Sequence, residues 1–317
     1  MKKTGAILKI TIPLILGVVL VLYSLSKISI SEIFEYLKAS DYGWIILGTL
    51  LGTLSHISRA YRWLFMAEPL GFKPKFANSF MSVYAAYLIN FTIPRAGEVA
   101  RASILTNYEK IPFEKTFGTI VAERIADTLM LLLIIAITLF LEFEFIFNYF
   151  SEKFNLQTLV FVTLAGIVLV VTLFIFIKKS QSKFALKVKN FVLGLIEGAL
   201  SIFKMKKKWP FIFHTIFIWV MYVAMFYVTS FAIPQLGEVP LAAILIGFIL
   251  ASFSIAATNG GIGSFPEAVV LAFGIFALAE DPSRAFGWIM WASQTLMIIL
   301  LGGLSLIYLP IYNKTAK

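Results

Sequence analysis

Long apolar runs, each cut off by a short polar or basic segment, recur from one end of the chain to the other. Taking about 20 apolar residues as one bilayer crossing, the pattern predicts six full spans near residues 6–25, 42–66, 116–141, 156–177, 209–233 and 285–309. Two further apolar stretches, 76–105 and 241–279, are broken midway by Pro or Gly. Each reads either as a re-entrant hairpin or as a pair of tilted crossings, and both versions return the chain to the side it left. The expectation is an all-α polytopic membrane protein of about eight helical segments, forming one integral membrane domain over residues 1–317.

Charge orients the spans. Lysines 2 and 3 precede the first run, which no small-x-small cleavage pattern follows, so it is read as a retained helix. Basic residues gather in 59–75, 106–115 and 178–208, whereas Glu142, Glu144, Glu152, Glu238, Glu280 and Asp281 fall in the alternate segments, with Arg284 counted among them. The positive-inside bias puts both termini in the cytoplasm of a multi-pass cell-membrane protein. Within 178–208, Phe184, Val188, Phe191, Leu195, Ala199 and Phe203 recur at helical spacing, the pattern of a helix lying on the inner leaflet or packed on the bundle. Residues 29–37 predict a shorter helix outside, begun by a capping box of Ser29 and Glu32. Trp44, Trp63, Trp209, Trp288 and Trp291 fall near span ends, where an indole is half wet.

Composition narrows the classes. Hydrophobic residues make up 60% of the 317 and charged residues 14%, which excludes a soluble domain of this size. The net charge of +10 sits mainly in one inter-span loop, so topology and not nucleic acid accounts for it. No cysteine is present, which removes disulfides and thiolate chemistry.

The two broken stretches share a pattern: Asn90 precedes Glu98, and Asn259 precedes Glu267, by the same eight residues. The offset between the pairs also carries the spans at 42 and 116 onto those near 209 and 285. Pseudo-repeats over 1–141 and 156–311 are expected, entering from opposite faces, the inverted plan that many secondary transporters use.

Charge clusters where membrane depth makes it costly. Pro94, Arg95, Gly97, Glu98 and Arg101 follow one apolar run directly. Asn259, Gly260, Gly261, Gly263, Ser264 and Glu267 form a glycine-rich turn into a helix; Ser264 and Glu267 fit a capping box, and glycine also lets amides approach an anionic head group. Glu123, Arg124 and Asp127 share one helical surface. They are either internal ion pairs or part of a substrate path, with Glu98, Glu123 and Asp127 balancing Arg95, Arg101 and Arg124 until a phosphate competes. Arg59 and Arg62 are expected to snorkel as interfacial anchors, with His56 one turn earlier, and His214 is taken as structural. Three aspartates and two separated histidines leave no paired-aspartate or clustered-ligand site, so neither an enzyme nor a metal or other cofactor is expected.

The ordered motifs Arg59-x-x-Arg62-Trp63, Pro94-Arg95-x-Gly97-Glu98-x-x-Arg101, Glu123-Arg124-x-x-Asp127 and Asn259-Gly260-Gly261-x-Gly263-Ser264 with Glu267 resemble the flippase-like family, which includes the membrane region of bacterial lysylphosphatidylglycerol synthases. The resemblance implies a lipid translocase that moves an anionic, aminoacylated or other polar-headed lipid between leaflets. Its partners would be a membrane phospholipid or polyprenyl-linked lipid and the bilayer itself. The chain stops at Lys317 with no soluble aminoacyl-transferase domain, so lysyl transfer is not expected of it. The alternative is a membrane-embedded enzyme or accessory subunit of polyprenyl-phosphate glycan assembly. No ATP motif is visible, so transport would run downhill or be ion-coupled.

Overall fold

The computed structural model describes residues 2–93, 96–153 and 205–314, with isolated positions between 157 and 186. Among these the chain forms eleven α-helices and no strand. Beyond isolated positions and 205–208, the expected span 156–177 and the basic loop 178–208 lie outside the described residues, as do Pro94 and Arg95.

Helix α1 (Lys2–Lys27) is followed, after a 72° bend, by α2 (Ile30–Ala39). The bend falls where Ser29 leaves helical geometry and caps α2: its hydroxyl accepts from the Glu32 amide, and Glu32 accepts the Ser29 amide at 2.7 Å. That is the capping box expected from the sequence. Asp41 caps α3 (Tyr42–Ala67) by accepting from the Gly43 amide at 2.8 Å, and a Glu-Pro-Leu turn ends it. Then come α4 (Phe76–Thr92), α5 (Gly97–Glu109), α6 (Phe113–Leu141) and α7 (Phe143–Lys153), and after the undescribed stretch α8 (Lys208–Ser230), α9 (Leu241–Ala257), α10 (Ser264–Gly274) and α11 (Glu280–Lys314).

Two compact units result: residues 1–123 with 209–317, and residues 124–208. The second holds the rest of α6 and α7, where Phe143 and Phe147 stack one turn apart. The first contains every feature described below unless stated otherwise.

Both interrupted stretches are antiparallel helix hairpins. In the first, Asn78 donates to Glu109 at the base (2.6 Å) while Asn90 accepts from the Gly97 amide near the tip (2.7 Å). In the second, Ser264 donates to the Ser254 carbonyl near the tip (3.1 Å), and a side chain at Gly247 would meet the Phe273 ring toward the base. The arms of 17, 13, 17 and 11 residues each fall short of the roughly 20 that a crossing needs. Phe226, Phe248, Phe273 and Phe286 form an aromatic core where α8 meets the second hairpin and α11, with Phe226 edge-on to Phe286 at 5.1 Å.

Among the described residues three helices, α6, α8 and α11, are long and apolar enough to cross a membrane, and α1 with α2 makes a fourth if the bent pair counts as one span. Six spans were expected, of which 156–177 lies outside the described residues. The 26-residue α3 has the length but spends its composition on Ser55, His56, Ser58, Arg59 and Arg62, all buried inside the protein. On α11 the apolar side chains Leu296, Leu300, Leu304, Ile307 and Ile311 face outward while Met290, Met297, Ser305 and Leu309 face in. Such an outward stripe suits hydrocarbon as its solvent.

Candidate functional site

In the second half of α3, Ser55, Ser58, Arg59, Arg62 and Trp63 lie on one stripe at helical spacing, opposite exposed Leu50, Leu54 and Tyr61. Arg62 is fully buried: it donates to Thr215 on α8 at 3.0 Å and reaches a Glu123 carboxylate oxygen at 3.5 Å. The other oxygen of Glu123 takes a charge-assisted hydrogen bond from Arg101 at 2.5 Å. One carboxylate on α6 is therefore held by two guanidinium groups, from α3 and α5. Trp63 donates its indole N–H to Thr119 at 2.9 Å and puts its ring 5.8 Å from the Arg101 guanidinium; Phe211 faces Arg62 at 5.4 Å. Hydrogen bonds and ring faces of this kind are what make buried charge tolerable.

This corrects the reading of Arg59, Arg62 and Trp63 as interfacial anchors. Snorkelling needs an outward path for the head group, and the stripe that carries these residues faces the interior. The signal was present in the small serines at 55 and 58 on the same stripe, which let neighbouring helices approach. His214 fits its structural reading, with Nδ1 2.8 Å from the Ser58 hydroxyl. Arg124 and Asp127 belong to the other compact unit, where they pair with each other at 3.7 Å.

The second hairpin turns through Asn259, Gly260 and Gly261, and Gly260, Gly261 and Gly263 all have positive φ. The tips of the two hairpins touch: a Cβ at Gly260 would collide with the ring of Phe91, beside Asn90. The Gly260 carbonyl accepts from Trp291 of α11 at 2.8 Å. The expected capping box of Ser264 and Glu267 is not formed. Gly263 occupies the N-cap position without a side-chain bond, and the Ser264 hydroxyl turns to the Ser254 carbonyl and to Thr258 at 2.7 Å. Glu267 instead accepts from Arg284 on α11 at 2.9 and 3.4 Å. Arg284, expected in an outside loop, is buried, and holds Glu280 at 2.6 Å and Asp281 at 3.7 Å as well. A bidentate partner one turn into the helix outcompetes the local cap because it neutralises a carboxylate that would otherwise be enclosed.

Helix α11 serves as a ruler for these positions. Arg284 stands about two turns before Trp291 at the hairpin tips. Asn313, about six turns beyond, pairs with Asn78 at 3.0 Å. Next to Asn78, Ser79 donates to the Ala60 carbonyl at 2.8 Å, which fixes the arginine end of α3 at that far level. The Arg62–Glu123–Arg101 cluster and the Glu267–Arg284 cluster thus lie on opposite sides of the level where the tips meet. Among the expected site residues, Asn90 joins Gly97, Glu123 joins Arg101, and Gly260 meets the neighbour of Asn90. Glu98 is half-buried in the first turn of α5, and Arg95 lies outside the described residues.

Residues 10–303 match the family described as the lysylphosphatidylglycerol synthase TM region. A curated relative, named UPF0104 membrane protein, from Methanocaldococcus jannaschii, is 26% identical over 308 residues, with 88% of this chain and 88% of that protein covered.

Proposed function

We propose that this chain, which belongs to the lysylphosphatidylglycerol synthase TM region family and is a multi-pass membrane protein, moves a lipid with an anionic, aminoacylated or other polar head group from one leaflet to the other. The observation that carries the reading is the shared carboxylate of Glu123 between Arg62 and Arg101, buried in the protein interior. A head-group phosphate entering there gains bidentate contacts to arginine while its acyl chains stay in lipid.

We also read an inverted repeat from the helix spacing, and it supports the same reading. α3 and α8, α4 and α9, α5 and α10, and α6 and α11 start 166, 165, 167 and 167 residues apart, each a difference of their first residue numbers. The even spacing matches a duplicated four-helix unit, and sites in transporters built from inverted repeats lie near the midplane between broken helices.

In vesicles reconstituted with the purified protein, a fluorescent anionic phospholipid should equilibrate between leaflets faster than in empty vesicles, and Glu98→Gln should slow it while the protein remains folded. No acceleration with any tested lipid, together with conversion of a polyprenyl-phosphate substrate to product, would replace the translocase with the membrane-enzyme alternative. For orientation, we place both termini and residues 178–208 in the cytoplasm of a cell-membrane protein. A cysteine introduced at Ser180, in a chain with none of its own, should resist an impermeant thiol reagent in intact cells and react after permeabilisation. Labelling in intact cells would reverse the topology.

A further inference from the structure

Between the two charge clusters, at the midpoints of α3 and α11, lies a group of polar side chains without formal charge. His56 is buried, with Tyr84, Tyr87 and Tyr222 around it at ring distances of 5.3, 4.7 and 6.0 Å. The Tyr222 hydroxyl is 3.5 Å from His56 Nδ1, long for a hydrogen bond, so both atoms retain capacity for a third group. One turn back on α3, Gly52 leaves room for the Gln294 amide: a Cβ there would collide with Oε1 of Gln294 and lie 2.9 Å from the Met225 sulfur. The Gln294 amide nitrogen is shut off from solvent and finds no hydrogen-bond partner among the described residues, and the same holds for the indole N–H of Trp219, whose ring is 6.0 Å from that of Tyr222.

A donor enclosed without an acceptor carries its full desolvation penalty, which a packed interior normally avoids. Near the middle of a membrane bundle such groups mark a place built for something polar. We propose that His56, Tyr222, Gln294 and Trp219 form a recognition site for the uncharged, hydroxyl-bearing part of a lipid head group. A hydroxyl accepts from the amide or indole N–H and donates to the imidazole nitrogen, using both kinds of group at once. His56 precedes Arg59 and Arg62 by three and six residues, a rise of about 4.5–9 Å. That is the reach from a phosphate to hydroxyls a few bonds beyond it, so this site completes the arginine cluster of the proposed function, on which the inference rests.

The test uses the purified full-length protein in detergent, titrated with lipids that share a phosphate but differ beyond it: phosphatidylinositol and phosphatidylglycerol against phosphatidic acid. The wild type should bind the two hydroxylated lipids about two- to tenfold more tightly than phosphatidic acid. Gln294→Leu should erase that preference, leave phosphatidic acid binding unchanged and hold or raise the melting temperature, since it removes an unsatisfied amide. Tyr222→Phe, which keeps the ring, should reduce the preference in the same direction. Equal binding of all three lipids by the wild type, or a preference that survives in both variants, overturns the hydroxyl site and leaves the arginine cluster standing. Failure of all three lipids to bind sinks the lipid reading and this inference with it.

Discussion

Glu123→Ala should lose about 3–5 kcal/mol of stability, the range seen when one partner of a buried ion pair is removed. Arg62 and Arg101 would keep their charge in an interior where their side chains are 0% and 4% exposed, and neither has a route to water by snorkelling. Thermal unfolding in detergent, followed by circular dichroism, measures the loss. Arg124→Ala, one residue along but with 45% of its side chain exposed, should change stability by less than about 1 kcal/mol. The informative variant replaces the whole cluster: Arg62→Met, Arg101→Met and Glu123→Leu together should recover most of the stability, because well-packed apolar residues often match a buried ion network. It should nevertheless fail to move lipid. Wild-type transport by the triple variant would reduce the cluster to a fastening between helices.

A comparable effect is expected at the point where the hairpin tips touch. Gly260 has φ 64°, and its missing Cβ is filled by the ring of Phe91. Gly260→Ala therefore meets a left-handed backbone and a collision at once, about 2–4 kcal/mol together. Phe91→Ala in the same chain should return the collision part and leave the backbone part. The interaction between the two substitutions, measured as a double-mutant cycle in thermal unfolding, should be well beyond 0.5 kcal/mol in magnitude, about the limit for independent sites. Simple additivity would mean that the tips do not touch.

The helices themselves were legible because hydrophobic runs and Pro or Gly breaks are local signals. The break in both apolar stretches and the capping box of Ser29 with Glu32 follow directly from spacing. What local spacing misjudged was direction. Arg62 near a span end has the same sequence context whether it reaches outward to head groups or inward to Glu123, sixty-one residues later in the chain. Trp63 was misread for the same reason, since an indole at an interface and one bonded to Thr119 look alike along the chain. Glu267 shows the converse: the motif Ser-x-x-Glu is locally sufficient for a cap, yet Arg284 supplies a stronger, non-local partner. On α3 the length of a span was visible along the chain, and the inward direction of its polar stripe was not.

Helix α11 has 35 residues and so runs about 52 Å. Even tilted by about 40° it overshoots a hydrocarbon layer of roughly 30 Å. A lone helix would relieve such mismatch by leaning further. This one is fastened near its start to the second hairpin through Arg284 and Glu267, and near its end to the first through Asn313 and Asn78. It is a strut with both feet fixed. A thicker or thinner bilayer is therefore expected to load both hairpins together through it.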